Sequence, residues 1–161
     1  MNSADVTRFW SKVLKGPRPT DCWLWTGAIG DDGYGRFWIK DGDGQRMIRA
    51  HRFALATAHG GLAAIENLEG CHGCDTPLCV RPSLEDTRHV YLGTRINNMV
   101  DRAARGRHNR QSAAQFWRFE TKQERAHKAR VLRDFIREHG WDADQIDELL
   151  RGVPADQGRL F

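Results

Sequence analysis

The chain has 161 residues, of which 40% are hydrophobic and 29% charged, and this length suits one domain with an appendage better than several domains. It shows no run of about 20 apolar residues and no secretory leader, so we expect a cytoplasmic protein with no membrane partner and with reduced thiols. The formal net charge of +4 suits a polyanionic partner but is also common among ordinary proteins. Composition thus argues against membrane-spanning and disulfide-rich classes and leaves the activity open.

The N-terminal part predicts one short helix followed by strands. Apolar side chains recur at helical spacing over residues 1–15, and the Gly and Pro residues at 16–19 end that helix. Two aromatic-rich runs, residues 22–25 and 35–39, flank a turn-forming sequence and are typical of the two strands of a hairpin.

A third strand and a second helix are predicted next. Residues 46–50 follow a glycine-rich turn and favour a strand. Residues 52–58 predict a helix that Gly60 and Gly61 end. We therefore expect a small antiparallel sheet before the centre of the chain.

Residues 94–105 predict a helix that Thr94 caps. At about 100° per residue, its apolar residues fall on one side and Asn98 falls on the other. The apolar side carries Ile96, Met99, Val100 and Ala103. The Asn98 side also carries Arg95, Arg102 and Arg105. Asn98 is therefore predicted to lie outside the core.

The last third of the chain is basic and helical. From residue 101 to residue 137 there are eleven Lys or Arg against four Asp or Glu. Residues 107–112 predict a linker, 121–139 an amphipathic helix, and 142–150 a shorter helix. Two helices joined by a Gly-containing turn permit a helix-turn-helix, but we favour a packing role for the pair.

Three metal ligands of the kind that zinc prefers lie close together in the centre. They are Cys74, Cys79 and His89. A closed structural zinc site has four ligands, so a fourth is required. Cys71 is a local candidate, because Cys71-x-x-Cys74 has ordinary zinc spacing.

The same stretch matches a longer spaced pattern, H-x-C-D-x-P-x-C-x-N-P-x-H-L-x-L-G-T-x-x-x-N-M-x-D. The matching residues are His72, Cys74, Asp75, Pro77, Cys79, Pro82, His89, Leu92, Gly93, Thr94, Asn98, Met99 and Asp101. On these residues the chain resembles the HNH, or His-Me finger, endonucleases, and within them the zinc-containing phage and homing branch related to the His-Cys box enzymes. Arg81 replaces the usual Asn, and residues 84–88 are an insertion. With similar sequence upstream, the resemblance covers about residues 21–107.

The resemblance implies an α+β fold. A ββα-metal core stapled by zinc would follow an antiparallel hairpin or small sheet and precede a helical C-terminal extension. We accordingly divide the chain into an N-terminal helix and linker (1–20), an HNH nuclease domain with the zinc site (21–107) and a basic helical extension (108–161).

Cys22 is the fourth zinc ligand that the resemblance implies, because His-Cys box relatives use a Cys ahead of an aromatic strand. We favour it over Cys71, since adjacent residues of an extended chain point in opposite directions and zinc on Cys71 would constrain His72. Cys71 remains the alternative.

The resemblance also implies the roles of the reacting groups. His72 would be the general base that removes a proton from the attacking water, which suits the ordinary histidine pKa of about 6.5. Asn98 would bind a catalytic divalent cation, for which Mg²⁺ is the expected choice. An arginine should neutralise the phosphate, with Arg46 favoured and Arg49 as the alternative.

The predicted activity is that of a metal-dependent endonuclease or nickase acting on double-stranded DNA in a bacterial host cell, either as a monomer or as a homodimer. Arg95, Arg102 and Arg105 would contact phosphates, which position DNA without reading its sequence. A zinc-stapled DNA-binding module without catalysis and a toxin-like nuclease are the alternatives. His72 together with Asn98 favours the enzyme, because a binding module needs neither.

Overall fold

The structure, a computed structural model, describes residues 2–104 and 121–151. These ranges contain five α-helices, seven strands and one 3-10 turn, and the strands form three small antiparallel sheets. In chain order the elements are α1 (Ser3–Trp10), β1 (Val13–Lys15), β2 (Trp23–Trp25), β3 (Ala28–Ile29), β4 (Gly35–Asp41), β5 (Gly44–Arg49), α2 (Ala50–Ala58), the 3-10 turn (Ala63–Ile65), β6 (Glu69–His72), β7 (Val90–Gly93), α3 (Arg95–Ala104), α4 (Lys122–His139) and α5 (Ala143–Arg151). The fold is thus α+β with a helical C-terminal region, as predicted.

The first helix is shorter than its sequence predicts. The Asn2 side chain caps α1, which ends at Trp10. Residues 13–15 form β1 and pair with β2, so the prediction of helix over residues 11–15 was wrong. Helical spacing of apolar residues over so short a segment does not exclude a strand, and the pairing of Leu14 with Leu24 decides between them.

The second aromatic run pairs with a different partner from the one predicted. β4 lies between β3 and β5, whereas β2 pairs with β1, so the expected hairpin between residues 22–25 and 35–39 was wrong. The turn was located correctly, since it joins Ile29 to its partner Gly35. The third strand is confirmed as β5, and α2 begins at Ala50, slightly before the predicted start.

The C-terminal helices complete the main hydrophobic core. Four buried side chains of α4 and α5, namely Ala129, Leu132, Ile136 and Ile146, pack in the same cluster as Phe9 and Trp25. This agrees with the packing role favoured from the sequence. Truncation near residue 107 would therefore uncover the core, so charge-removing substitutions are the better way to test any contribution of this region to DNA binding.

The hydrophobic pattern of α3 suggests that its apolar side is buried, but the structure turns the polar side toward the rest of the protein. Ile96, Met99 and Val100 are 73%, 50% and 60% exposed. Asn98 is partly buried and contacts β6. None of the helices in the two described ranges is long and apolar enough to cross a membrane.

Candidate metal centre and neighbouring histidine cluster

A metal-binding geometry forms where three segments of the chain meet. Cys22 precedes β2, Cys74 and Cys79 follow β6, and His89 precedes β7. Their ligand atoms all lie within 4.8 Å of one another, and this group could hold a metal ion. The Nδ1 atom of His89 is 3.6 Å from the Cys22 sulfur and 3.8 Å from the Cys79 sulfur. Tetrahedral zinc with ordinary bond lengths needs sulfur-to-nitrogen separations of about 3.6 Å, so the arrangement is consistent with structural zinc.

Backbone hydrogen bonds bring the distant Cys22 to this centre. The loop after β6 runs beside β2, where the Trp25 N–H donates to the Leu78 carbonyl at 2.9 Å and the Val80 N–H to the Trp23 carbonyl at 2.8 Å. Leu24 also forms a bridge with Cys79. The register of these bonds places Cys22, one residue ahead of β2, next to Cys79.

Cys71 lies outside the cluster. It is a buried residue of β6 that pairs with Tyr91 of β7. All four cysteines are in the described part of the chain, and none forms a disulfide. The structure thus selects Cys22, the favoured candidate, over Cys71 as the fourth member of the group.

The three clustered thiols influence one another's ionisation. Hydrogen bonds from Cys22 and Cys79 lower the pKa of Cys74, while the hydrogen bond with Cys74 raises the pKa of Cys22 to about 12. Burial raises the pKa of Cys79. A divalent metal supplies the positive charge that lets all three sulfurs bind as thiolates.

Arg81, which replaces the Asn of the matched pattern, fastens this loop to the segment before β2. Its Nη1 atom donates to the Asp21 carbonyl at 2.6 Å, and its guanidinium lies 5.7 Å from the centre of the Trp23 ring. Cation-π attraction acts at this separation. The substitution thus adds a link between the loop and the strand that carries Cys22 into the metal centre.

The inserted segment, residues 84–88, folds back over the metal-binding loop. The Ser83 N–H donates to the Val90 carbonyl at 2.7 Å, which closes the base of the insertion. Within it, the Thr87 carbonyl oxygen lies 1.5 Å from the position that a Cβ atom on Gly73 would take. The insertion therefore requires glycine beside the ligand Cys74.

We expect Gly73→Ala to destabilise the protein and lower its metal content. The added methyl group must displace either the backbone at Thr87 or the end of β6, and such overpacking costs about 1–3 kcal/mol or more. Thermal unfolding and metal analysis measure the effect. Gly44→Ala is the matched control, because a Cβ there would meet only the Asp41 carbonyl, at 3.8 Å. Equal melting temperatures for the two variants would contradict this prediction.

His72, at the end of β6, belongs to a cluster of aromatic rings beside the metal centre. Its ring centroid is 4.8 Å from that of His51 and 5.6 Å from that of Tyr34. His51 lies in the first turn of α2, and a side chain at Gly70 would come within 2.7 Å of its ring. The close packing of β6 on α2 thus positions His72. The sequence indicated no role for His51 or Tyr34.

His51 is held in its neutral form. It is only 3% exposed, and Nδ1 is buried without a hydrogen-bond partner among the described residues. Burial lowers its pKa well below the usual value, and the charges of His72, Arg49 and Arg52 act in the same direction. A protonated His51 would therefore be strongly disfavoured in the folded protein.

Acidification should destabilise the wild type more than a His51→Phe variant. Below pH of about 6.5 the unfolded chain protonates His51 and the folded protein does not, so the free energy of unfolding falls by up to about 1.4 kcal/mol per pH unit. Denaturant unfolding from pH 7 to pH 5 compares the two proteins. The wild type and the variant have the same neighbouring residues, namely Arg49, Arg52, Tyr34 and His72, and the same metal ligands. The comparison therefore isolates His51. Parallel stability curves would contradict the prediction.

Asn98 contacts the start of β6, whereas His72 is at the end of that strand. The Nδ2 atom of Asn98 donates to a carboxylate oxygen of Glu69, the first residue of the strand. Glu69 is the first residue of β6 and His72 is the last. Glu69 was not recognised from the sequence, because nothing local distinguishes it from a solvated strand residue.

The two arginines considered for the phosphate have different neighbours. The guanidinium of Arg49 lies 5.0 Å from the centre of the Tyr34 ring and donates to Asp32 at 2.7 Å. Arg46, three residues earlier in β5, forms an ion pair with Asp41 at 3.1 Å near the β4 to β5 turn. The ring of Tyr34 therefore links Arg49 to His72.

The predicted phosphate-contacting arginines are only partly described. Arg95 is exposed at the start of α3. The side chain of Arg102 and the whole of Arg105 lie outside the described residues, as do residues 107–112 and the side chain of Asp101.

Comparison with known proteins identifies relatives in a bacteriophage. Protein 2.8 of Escherichia phage T7 is 31% identical over 98 residues, which are 60% of this chain and 60% of that protein. Protein 7.7 of the same phage is 30% identical over 87 residues, which are 54% of this chain and 58% of that protein. The chain thus spans less than two thirds of the length of these curated relatives. No family model matches it, and no solved structure does.

Proposed function

We propose that this protein is a zinc-stapled HNH endonuclease or nickase that hydrolyses phosphodiester bonds of double-stranded DNA. The observation that carries the proposal is the order of β6, β7 and α3 beside the Cys22, Cys74, Cys79 and His89 cluster. His72 is the last residue of the first strand and Asn98 lies on the helix, and this order supports the ββα-metal arrangement that the resemblance implies. The phage relatives are compatible with activity in the cytoplasm of a bacterial host.

In this proposal zinc holds the structure and takes no part in the reaction. The Cys3His donor set and its close spacing fit a four-coordinate structural site without an open position for substrate. The centre fastens β2, the loop after β6 and the start of β7 to one another. His72 is thereby held two residues from the ligand Cys74.

His72 accepts the proton of the attacking water. Its ring packs against His51 and Tyr34, which limit its rotation and leave fewer orientations to be lost when substrate binds. Because the pKa of His51 is lowered, this neighbour adds no positive charge that would oppose the protonation of His72. Arg49, which lies beside Tyr34 and pairs with Asp32, would supply positive charge to the phosphate.

Asn98 binds the catalytic divalent cation through its amide oxygen. The amide and the neighbouring Glu69 carboxylate are hard oxygen groups, the type that Mg²⁺ prefers. Bound Mg²⁺ would polarise the scissile phosphate and stabilise the leaving oxygen. One neutral amide holds Mg²⁺ weakly, so we expect the DNA phosphate to raise the metal affinity.

DNA is held largely through phosphate contacts. Arg95, Arg102 and Arg105 supply positive charge, and each phosphate contact that is lost should reduce the slope of log K against log salt by about 0.9. Basic residues of the C-terminal region add to this field, while α4 and α5 keep their role in the core.

A plasmid-nicking assay tests the proposed activity. The zinc-loaded protein should convert supercoiled plasmid to nicked or linear product when Mg²⁺ is present, and it should bind without cutting when Mg²⁺ is omitted. Omission is preferable to a chelator, which would also remove zinc. Tight DNA binding with no cleavage in Mg²⁺ or Mn²⁺ would instead indicate a DNA-binding module.

A further inference from the structure

A carboxylate contacts the residue that we assign to the catalytic cation. Glu69 lies opposite Gly93 in the β6 to β7 pair, next to the point where α3 begins. Both Glu69 and Asn98 are partly buried. The Asn98 N–H donates to the Thr94 carbonyl at 3.0 Å, which fixes the first turn of α3 and places the Asn98 side chain over the start of β6. The contact between the Asn98 and Glu69 side chains therefore joins two residues that both belong to regular secondary structure, one in α3 and one in β6.

The hydrogen bond with Glu69 determines the orientation of the Asn98 side-chain amide, because the amide nitrogen is the donor. Its Nδ2 faces the Glu69 carboxylate. The carbonyl oxygen Oδ1, on the other arm of the planar amide, is thus directed away from Glu69. The terminal torsion of asparagine is broad and roughly two-fold, so an amide without such a partner can also present nitrogen where oxygen is needed. A carboxylate accepts hydrogen bonds and cannot donate them, so it selects one of the two orientations.

The charge of Glu69 has a second consequence for a cation. A metal ion bound by a neutral amide receives no net negative charge from its ligand, whereas a carboxylate behind that amide attracts the ion and polarises the amide toward it. Outer partners of this kind typically change metal affinity by about 10-fold to 100-fold.

We propose that Glu69 is a positioning residue for the catalytic cation. It orients Asn98 so that Oδ1 faces the metal, and its negative charge raises the divalent-metal affinity of the site. This inference rests on the proposed function, because it takes Asn98 to be the metal-binding residue.

The test is Mn²⁺ binding to the zinc-loaded full-length protein, followed by the electron paramagnetic resonance signal of free Mn²⁺. Glu69→Ala removes both acceptor and charge, and we expect about 10-fold to 100-fold weaker binding. Glu69→Gln keeps an acceptor and removes the charge, so it should bind with intermediate affinity. Glu66→Gln is the matched control, because Glu66 is exposed nearby and its loss removes the same charge. Zinc content shows that each variant is folded.

Cleavage provides a second readout. For Glu69→Gln the Mn²⁺ concentration giving half-maximal rate should rise, while the rate at saturating Mn²⁺ should return close to that of the wild type. A purely structural role would lower stability without shifting the metal midpoint, and this result would overturn the inference. Wild-type Mn²⁺ affinity in Glu69→Ala would also overturn it. If the binding series behaves as expected but no variant or wild type cuts DNA, the nuclease proposal fails while the cation site stands.

Discussion

Replacing Cys22 by Ser should abolish zinc binding and unfold the centre of the protein. Apparent zinc-binding energies of about 10–16 kcal/mol are comparable to the whole stability of a domain, about 5–15 kcal/mol. The effect should be large here because the four ligands join three separate segments, the one before β2, the loop after β6 and the one before β7. Elemental analysis and circular dichroism measure metal content and folding.

Cys71→Ser is the matched control for this substitution. Cys71 is also a buried thiol, but it lies on β6 outside the metal cluster, so the variant should keep one zinc per chain. The opposite result, with zinc lost from Cys71→Ser and retained in Cys22→Ser, would refute the ligand assignment. Protein purified without chelators and found to contain no zinc would refute the zinc site itself.

Replacing His72 by Ala should reduce DNA cleavage by about 10²-fold to 10⁴-fold, the usual contribution of a general base. Zinc content and DNA affinity should stay close to wild type, because His72 is not one of the four clustered ligand residues and only hydrogen-bonds to one of them, Cys74. Single-turnover cleavage, gel-shift binding and elemental analysis together separate these effects. A His72→Ala protein that cuts at the wild-type rate, or that loses its zinc, would show that His72 is not the base.

Asn98 provides the comparison that separates base from metal site. In Asn98→Ala the metal concentration for half-maximal cutting should rise, whereas His72→Ala should lower the rate at every metal concentration. Asn98→Asp supplies a charged oxygen at similar reach and should recover part of the loss. Equal metal dependence in the wild type and Asn98→Ala would remove Asn98 from the proposed site.

Several features could be predicted from the sequence because they depend on neighbours a few residues away. Cys74, Cys79 and His89 lie within sixteen residues of one another, so their spacing alone indicated a shared metal. Turn-forming glycines located the β3 to β4 connection, and helical periodicity located α4. The resemblance added Cys22, His72 and Asn98, whose roles could not be inferred from periodicity.

Other features depended on contacts between segments distant in the sequence. Residues 13–15 form a strand because they pair with β2. Since β2 pairs with β1, the neighbour of β4 on that side is β3. Helix α3 turned its apolar residues to solvent while Asn98 met Glu69, although helical phase alone favoured burial of the apolar side.

The amino-acid sequence was enough to indicate which residue types could form a metal centre and where the helix after it begins. Only the tertiary structure decided that Cys22 and not Cys71 joins that centre, that Arg49 rather than Arg46 lies near His72, and that His51 is buried against it. The cause is the difference in the distance along the chain over which each effect acts. Propensity, capping and ligand spacing act over a few residues, whereas strand register and packing bring together side chains that are tens of residues apart.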